Sequence, residues 1–144
     1  MKVAVIGATG FVGKNLVNEL TSRGHEVVAI ARSTEKIENE NEKLTKVAVD
    51  VLDTEKLAQT LKGADAVVSA FNAGWTNPNL YNDTVIGANA IQKGVKASGV
   101  KRYIFIGGAG TLQIDGKQLV DGADFPAEIY PGASAVRDYF NTLK

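Results

Sequence analysis

The stretch MKVAVIGATGFVGKNLVNELTSRG, residues 1–24, decides the fold. Val3-Ala4-Val5-Ile6 is an unbroken apolar run ending at Gly7, the pattern of a strand buried on both faces. Phe11, Val12, Leu16, Val17 and Leu20 then recur at helical spacing, and Arg23-Gly24 supplies a basic last turn and a glycine stop. Between strand and helix, Gly7-Ala8-Thr9-Gly10-Phe11-Val12-Gly13 reads GxxGxxG. Glycines in such a loop allow the tight turn, let the backbone approach a pyrophosphate and let the helix pack close to the sheet. The helix N-terminus then offers unpaired N–H groups and a partial positive charge to the phosphates. No Gly-Lys-Ser/Thr ends the motif, which argues against a P-loop NTPase.

The same alternation continues outward. Val27–Ile30 is a second β-branched run, Val47–Val49 a third, Ala66–Ala70 a fourth and Tyr103–Ile106 a fifth. Residues 33–44 are polar and charged and read as a short helix or an exposed loop. Asp53 or Thr54 caps a helix carrying Leu57, Ala58 and Leu61 and closed by Gly63. A longer helix spans about Leu80 to Ser98, with Ile86, Ala90, Ile91 and Val95 on one face. Apolar strands alternating with helices predict an α/β fold, a doubly wound parallel sheet of the NAD(P)-binding Rossmann type. The tail departs from this rhythm. Asp115-Gly116 between Thr111–Ile114 and Lys117–Val120 is a type I′ hairpin signal. After Pro131, Ala133, Val136, Phe140 and Leu143 have helical spacing.

Length and composition fit that reading. With 144 residues the expectation is one dinucleotide-binding domain, 1–144. Sixteen Lys+Arg balance sixteen Asp+Glu, so no basic footprint for nucleic acid is present and nothing draws the chain to anionic membranes. Zero cysteines exclude thiolate metal ligands and a thiol nucleophile, and the single His25 excludes a multi-His metal cluster. No apolar run reaches the roughly 18 residues of a transmembrane helix, and the start lacks a signal-peptide pattern, so the expected location is the cytoplasm. No paired carboxylates or Ser/His/Asp set fall together, which leaves a hydrolase without support.

Topology selects the remaining candidates, because ligands of open parallel sheets bind beyond the carboxyl ends of the strands. The second strand ends Ile30-Ala31-Arg32-Ser33 with no carboxylate. An acidic residue there favours NAD and an arginine accommodates the 2′-phosphate of NADP, so Arg32, helped by Ser33, points to NADP(H) over NAD(H). The other strand ends are Asp50-Val51, Ala70-Phe71-Asn72 and Gly107-Gly108-Ala109. Asp50 suits an adenine amino group or a turn. Ala70 and Phe71 would run along the ribose and nicotinamide half, and Gly107 and Gly108 would let the nicotinamide approach the sheet edge. Phe71, Trp75 and Tyr81 supply rings on which a second flat molecule could stack.

These residues resemble the atypical branch of the short-chain dehydrogenase/reductase superfamily, and within it the NmrA-like and NADH-flavin reductase group, which is also similar to biliverdin reductase B. The matching stretches are KVAVIGATGFVGKNLVNEL, VVAIARSTEKI, VDVLD, VVSAFNAG, VKRYIFIGGAGTL and DFPAEIYPGASA, spread through nearly the whole chain. The resemblance implies NAD(P) at Gly7, Thr9, Gly10, Phe11, Val12 and Arg32, with the reactive end near Ala70, Phe71 and Gly108.

Two departures from that pattern matter. Most of the superfamily uses a Tyr-x-x-x-Lys pair and a Ser at the end of strand five. Here Tyr130 is followed by Ser134, Tyr139 by Leu143, and strand five runs into Gly107-Gly108. Relatives also continue for about sixty residues more. Without the Tyr/Lys pair the sequence leaves no assignable catalytic residue. It favours a reductase passing hydride to FMN, FAD or a similar conjugated acceptor, which demands little acid–base help from protein. The alternative is a non-catalytic NADP(H)-binding redox sensor acting through a protein partner. A sugar-modifying relative that has lost residues is the weakest reading. A homodimer is compatible with the sequence.

Overall fold

Strand β1 (Lys2–Ile6) is the centre of a five-stranded parallel sheet of order β3-β2-β1-β4-β5. The computed structural model describes residues 1–74 and 76–143. β1 pairs with β2 (Glu26–Ala31) from Lys2↔Glu26 to Ile6↔Ile30, and with β4 (Ala66–Ser69) from Val3↔Ala66 to Ile6↔Ser69. The edges are β3 (Leu44–Ala48), beside β2, and β5 (Tyr103–Phe105), beside β4. The expected Rossmann-type sheet is what forms.

Period-two geometry sorts these strands onto two cores. Ala4, Ile6, Val28, Ile30 and Val67 face α2 (Thr54–Leu61) and α3 (Leu80–Ser98), where they meet Leu57, Leu61, Ile91 and Val95. Val3, Val5, Val27, Ala29 and Val68 face the other way, with Val17 of α1 (Phe11–Ser22) and Ile37. Both faces are covered, so the central strands read as continuous apolar runs. At the edges the burial weakens. Thr45 and Ala48 of β3 are exposed, as is Ile104 of β5.

One helix start and two stops follow the sequence signals. Asp53 caps α2, its carboxylate accepting from the Lys56 N–H at 3.2 Å. Gly24 and Gly63 follow their helices at φ +83° and +85°.

Met1–Phe71 and Ala90–Ile106 make one compact unit, and Asn72–Asn89 with the residues from Gly107 on make a second. In the second, β6 (Gln113–Ile114) and β7 (Lys117–Gln118) form the expected hairpin. Asp115 and Gly116 both take positive φ, 52° and 80°, as a type I′ turn requires. Single 3₁₀ turns flank it at Ala109–Thr111 and Leu119–Asp121, and α4 (Tyr130–Leu143) follows.

Four expectations shift. β3 spans Leu44–Ala48 rather than Val47–Val49, because an edge strand pairs through polar Thr45 and Lys46 that an apolar-run reading passes over. Residues 33–43 form turns and extended chain, with no helix, anchored by buried Ile37. On α3 the buried stripe is Thr84, Ala88, Ile91 and Val95, while Ile86 is 53% exposed. On α4 the buried residues are Gly132, Ser134, Ala135 and Tyr139, one position round from the expected Ala133, Val136, Phe140 and Leu143. Small residues share both faces with Ile91, Val95 and Tyr139, and they permit close approach without adding hydrophobic signal.

Candidate functional site

The sheet order reverses direction between β1 and β4, and the glycine loop leaves β1 at that switch point, where open α/β sheets form their ligand crevice. Gly7 turns the chain at φ +80° and donates its N–H to the Ile30 carbonyl at 3.0 Å, while the Ala8 N–H shares that carbonyl at 3.1 Å. A Cβ on Gly7 would lie 2.7 Å from the Ala70 carbonyl oxygen. This close approach brings Ala70 and Phe71 against the loop. The Ile30 bonds place Arg32 two residues beyond the carbonyl that fixes Ala8.

Each glycine has a separate cause. A Cβ on Gly13 would stand 2.0 Å from the Gly7 carbonyl oxygen, so α1 needs Gly13 to seat on the strand end. A Cβ on Gly10 would meet nothing nearer than the Gly7 oxygen at 3.5 Å, an ordinary contact. Nothing inside the protein requires glycine at 10. Its bare Cα faces outward, at the N-cap of α1, where no side chain caps the helix and no acidic residue stands in the first turn. Thr9, Gly10, Phe11 and Val12 are all exposed, Phe11 to 85%. The cradle thus offers exposed backbone and a positive helix end, which fits a dinucleotide pyrophosphate.

The other candidates are placed as follows. Arg32 and Ser33 are exposed, and Arg32 forms no ion pair among the described residues. Asp50 is exposed, but one carboxylate oxygen accepts from the Leu52 N–H at 3.0 Å, so it serves the turn at the end of β3. Val51 and Phe71 are half-buried against the core, which leaves Phe71 less free to stack than its sequence position suggests. The Ala70 N–H donates to the Ile6 carbonyl at 2.8 Å. Gly107 and Gly108 follow β5 and are exposed, and a Cβ on Gly108 would meet nothing within 4 Å. Trp75 lies outside the described residues.

In the second unit the Tyr81 hydroxyl donates to Asp138, and that bond pushes its pKa above the usual phenol value. Arg137 donates to Asp138 and Asp121, both at 2.5 Å, and its pKa rises, led by the Asp121 bond. Ser134 and Leu143 stand four positions after Tyr130 and Tyr139. Tyr130 is exposed, buried Ser134 turns its hydroxyl to the Pro131 carbonyl at 3.2 Å, and Tyr139 is buried. His25 lies at the far end of β1, its Nδ1 3.3 Å from the Met1 amine. No group of three His, Cys, Asp or Glu able to hold a metal occurs among the described residues.

Reading the residues alone misses Lys14 and Lys36. They line a cleft of about 250 Å³ between α1 and residues 36–39, with Thr9 of the glycine loop. Lone surface lysines carry no motif, and only the fold brings them together.

Fold and loop together define a dinucleotide-binding α/β protein. The sequence signature of the NAD(P)H-binding family matches residues 7–141, and the chain belongs to that family. It is 36% identical over 138 residues to the uncharacterised protein YwnB of Bacillus subtilis, covering 93% of this chain and 61% of that protein. A proposed epimerase from Bacteroides thetaiotaomicron superposes at TM-score 0.88 with 42% identity, over 97% of this chain and 62% of the other. A proposed NADH-flavin reductase from Streptococcus pneumoniae superposes at 0.80 with 36% identity, over 99% and 65%. The chain therefore spans roughly three-fifths of the length of these relatives. Such neighbours agree with the atypical dehydrogenase/reductase group that the motifs resemble. No helix among the described residues is long and apolar enough to cross a membrane.

Proposed function

We propose that this chain is an NADPH-preferring reductase that passes hydride to a flavin or a similar flat, conjugated acceptor. The observation that carries it is the contrast within the loop. Gly7 and Gly13 are demanded by the protein's own packing, whereas Gly10 is open on the side where a pyrophosphate would lie. In this reading Gly7, Thr9, Gly10, Phe11, Val12 and Gly13 hold the pyrophosphate and Arg32 meets the 2′-phosphate with its planar fork. Val51 borders the adenine, with the second carboxylate oxygen of Asp50 beside it as an acceptor for the amino group. Ala70, Phe71, Gly107 and Gly108 border the ribose and nicotinamide half.

The reaction asks little of the protein beyond holding two rings together. A bound reduced nicotinamide would supply the hydride, and residues that hold it against the acceptor would provide most of the rate through proximity. A missing Tyr/Lys pair is consistent with such an acceptor and not with ordinary alcohol dehydrogenation. It is equally consistent with a redox sensor that binds NADP(H) and signals to a protein partner.

The test is calorimetric titration of the 144-residue chain with NADPH and with NADH, followed by nicotinamide oxidation assays with FMN, FAD and a quinone. Preferential NADPH binding with turnover above the uncatalysed rate supports the reductase. Preferential binding with no turnover on any acceptor supports the sensor. Absence of binding by either nucleotide would overturn both.

A further inference from the structure

The β6–β7 hairpin sits with its apolar face outward. Alternation along a strand puts Gln113 on one face and Leu112 and Ile114 on the other. Gln118 pairs with Gln113 and shares its face, and the Gln118 amide exchanges hydrogen bonds with the Asn141 amide of α4 at 3.2 and 3.3 Å. The polar face is therefore the one turned to α4. Leu112 and Ile114 point away from it and are each 61% exposed. An antiparallel sheet with one covered face ordinarily buries its apolar side, and a stripe turned outward marks a contact surface.

The backbone of the same strand is also open. The Leu119 N–H donates to the Leu112 carbonyl at 2.8 Å, so by the alternation of an antiparallel ladder the Gln113 N–H and C=O point away from β7. Gln113 is exposed, and among the described residues β6 pairs with β7 alone. Thr111–Ile114 carries no charge or proline of the kind that blunts a free edge, whereas β7 begins with Lys117.

We propose that β6 pairs antiparallel with β6 of a second copy of this chain, about a two-fold axis through Gln113, in a transient homodimer. A two-fold interface uses the same patch on both partners, and a strand laid beside its own copy in that way runs antiparallel. Gln113 is the residue of β6 whose backbone groups point outward, so it lies opposite itself and exchanges two N–H···O=C bonds. Leu112 then stands opposite Ile114 of the second copy, and Ile114 opposite its Leu112, on one face of a four-stranded sheet. Charge agrees with this register. Asp115 falls opposite Thr111 of the second copy, which sets the two Asp115 carboxylates about 14 Å apart along the strands, beyond the screening length of ~8 Å. Two apolar side chains and a short edge per copy fall below the ~800 Å² a side of a standard stable interface, so association is weak and concentration-dependent.

Sedimentation velocity on the full chain at rising concentration should show a reversible shift from monomer to dimer. Gln113→Pro removes the N–H that the register needs, and Leu112 already holds φ −66° and ψ 146°, the extended conformation favoured before proline. That variant should stay monomeric where the parent dimerises and should melt with the parent. The chain has no cysteine of its own, so single replacements read the register. Opposed Cα atoms at position 113 would lie ~5.5 Å apart, within disulfide reach, whereas those at 112 are two residues out of line and beyond the ~7 Å limit. Under mild oxidation Gln113→Cys should cross-link at least about 10-fold faster than Leu112→Cys. A parent that stays monomeric throughout overturns the assignment and leaves the stripe to a different protein. Dimers that survive Gln113→Pro, or equal cross-linking from 112 and 113, would put the contact on another face and overturn it as well. Cross-linking decides the register even where the proline variant loses stability.

Discussion

Replacing Gly10 and Gly13 one at a time by alanine separates what the loop does for folding from what it does for binding. At Gly13 the new methyl would sit 2.0 Å from the Gly7 carbonyl oxygen and 2.7 Å from its carbon. Both are backbone atoms of a turn held by two hydrogen bonds to Ile30, so neither can swing aside. The start of α1 must lift from the strand end by an ångström or more, dragging buried Val17 with it. Overpacking of this kind costs about 3 kcal/mol, the upper end of the usual range. For a chain of this size that lowers the melting temperature by roughly 6–12 °C. At Gly10 the methyl meets only one atom, at 3.5 Å, and φ −74° with ψ 169° is open to any residue. Stability should change by less than about 1 kcal/mol, the part that comes from alanine being a poorer N-cap. That methyl would nevertheless stand where the pyrophosphate approaches the helix end, and dinucleotide affinity should fall at least about 10-fold, or ~1.4 kcal/mol. Thermal unfolding and calorimetric titration of both variants make the check. A Gly10→Ala protein with parental NADPH affinity would refute the pyrophosphate cradle. A Gly13→Ala protein as stable as the parent would refute the packing account.

Arg32→Ala should weaken NADPH by about 10- to 100-fold, the worth of a charge-assisted contact, and leave NADH nearly unchanged. Equal loss for both nucleotides in titration would exclude Arg32 as the phosphate partner. Tyr81 titrates high because it donates to Asp138, so the bond stabilises the fold below the ordinary phenol pKa and that stability is lost as pH rises through the raised value. Alkaline unfolding and phenolate absorbance should show this loss, and Tyr81→Phe should remove its steepest part. Gly94→Ala would bring a methyl to 2.8 Å from the Leu57 side chain. Because Leu57 is fully buried between helix and sheet, denaturant unfolding should report a loss of about 1–2 kcal/mol rather than a gain in helix propensity. Parental stability in that variant would mean α3 rides further from α2 than the structure has it.

How far the sequence could be read depended on where hydrophobicity and packing coincide. In β1, β2 and β4 every buried residue is itself apolar apart from Ser69, so the runs announce the strands and their layering. The Asp115-Gly116 turn was legible because its backbone conformation admits few other residues. On α3 and α4 the coincidence fails. Buried among them are Thr84, Gly94, Gly132, Ser134 and Ala135, which carry little hydrophobic signal, while Ile86 and Leu143 lie exposed. A hydrophobic count therefore finds Ile91 and Val95 on α3 but turns Ile86 inward, and it places the face of α4 one position off. The site divides in the same way. The glycine loop is legible because backbone geometry restricts residue choice at 7 and 13. Lys14 and Lys36 are 22 positions apart and unmarked by any local constraint, so only the docking of Ile37 beside α1 makes them neighbours.

The geometry of α4 also narrows the chemistry. Tyr130 stands on the exposed side near the start of the helix, and Ser134 lies where a superfamily lysine would. Ser134 cannot lower a phenol's pKa electrostatically, because it is neutral and its hydroxyl already donates to the Pro131 carbonyl. Tyr139 is buried at 1% exposure and followed at the lysine position by Leu143. Tyr81 donates to the Asp138 carboxylate, which raises its pKa and holds its proton more tightly. A hydroxyl-to-carbonyl interconversion requires a phenol that gives up its proton readily, and the Asp138 bond works against that at Tyr81. The proposed hydride transfer to an acceptor whose own ring system disperses the charge would make no such demand on the protein.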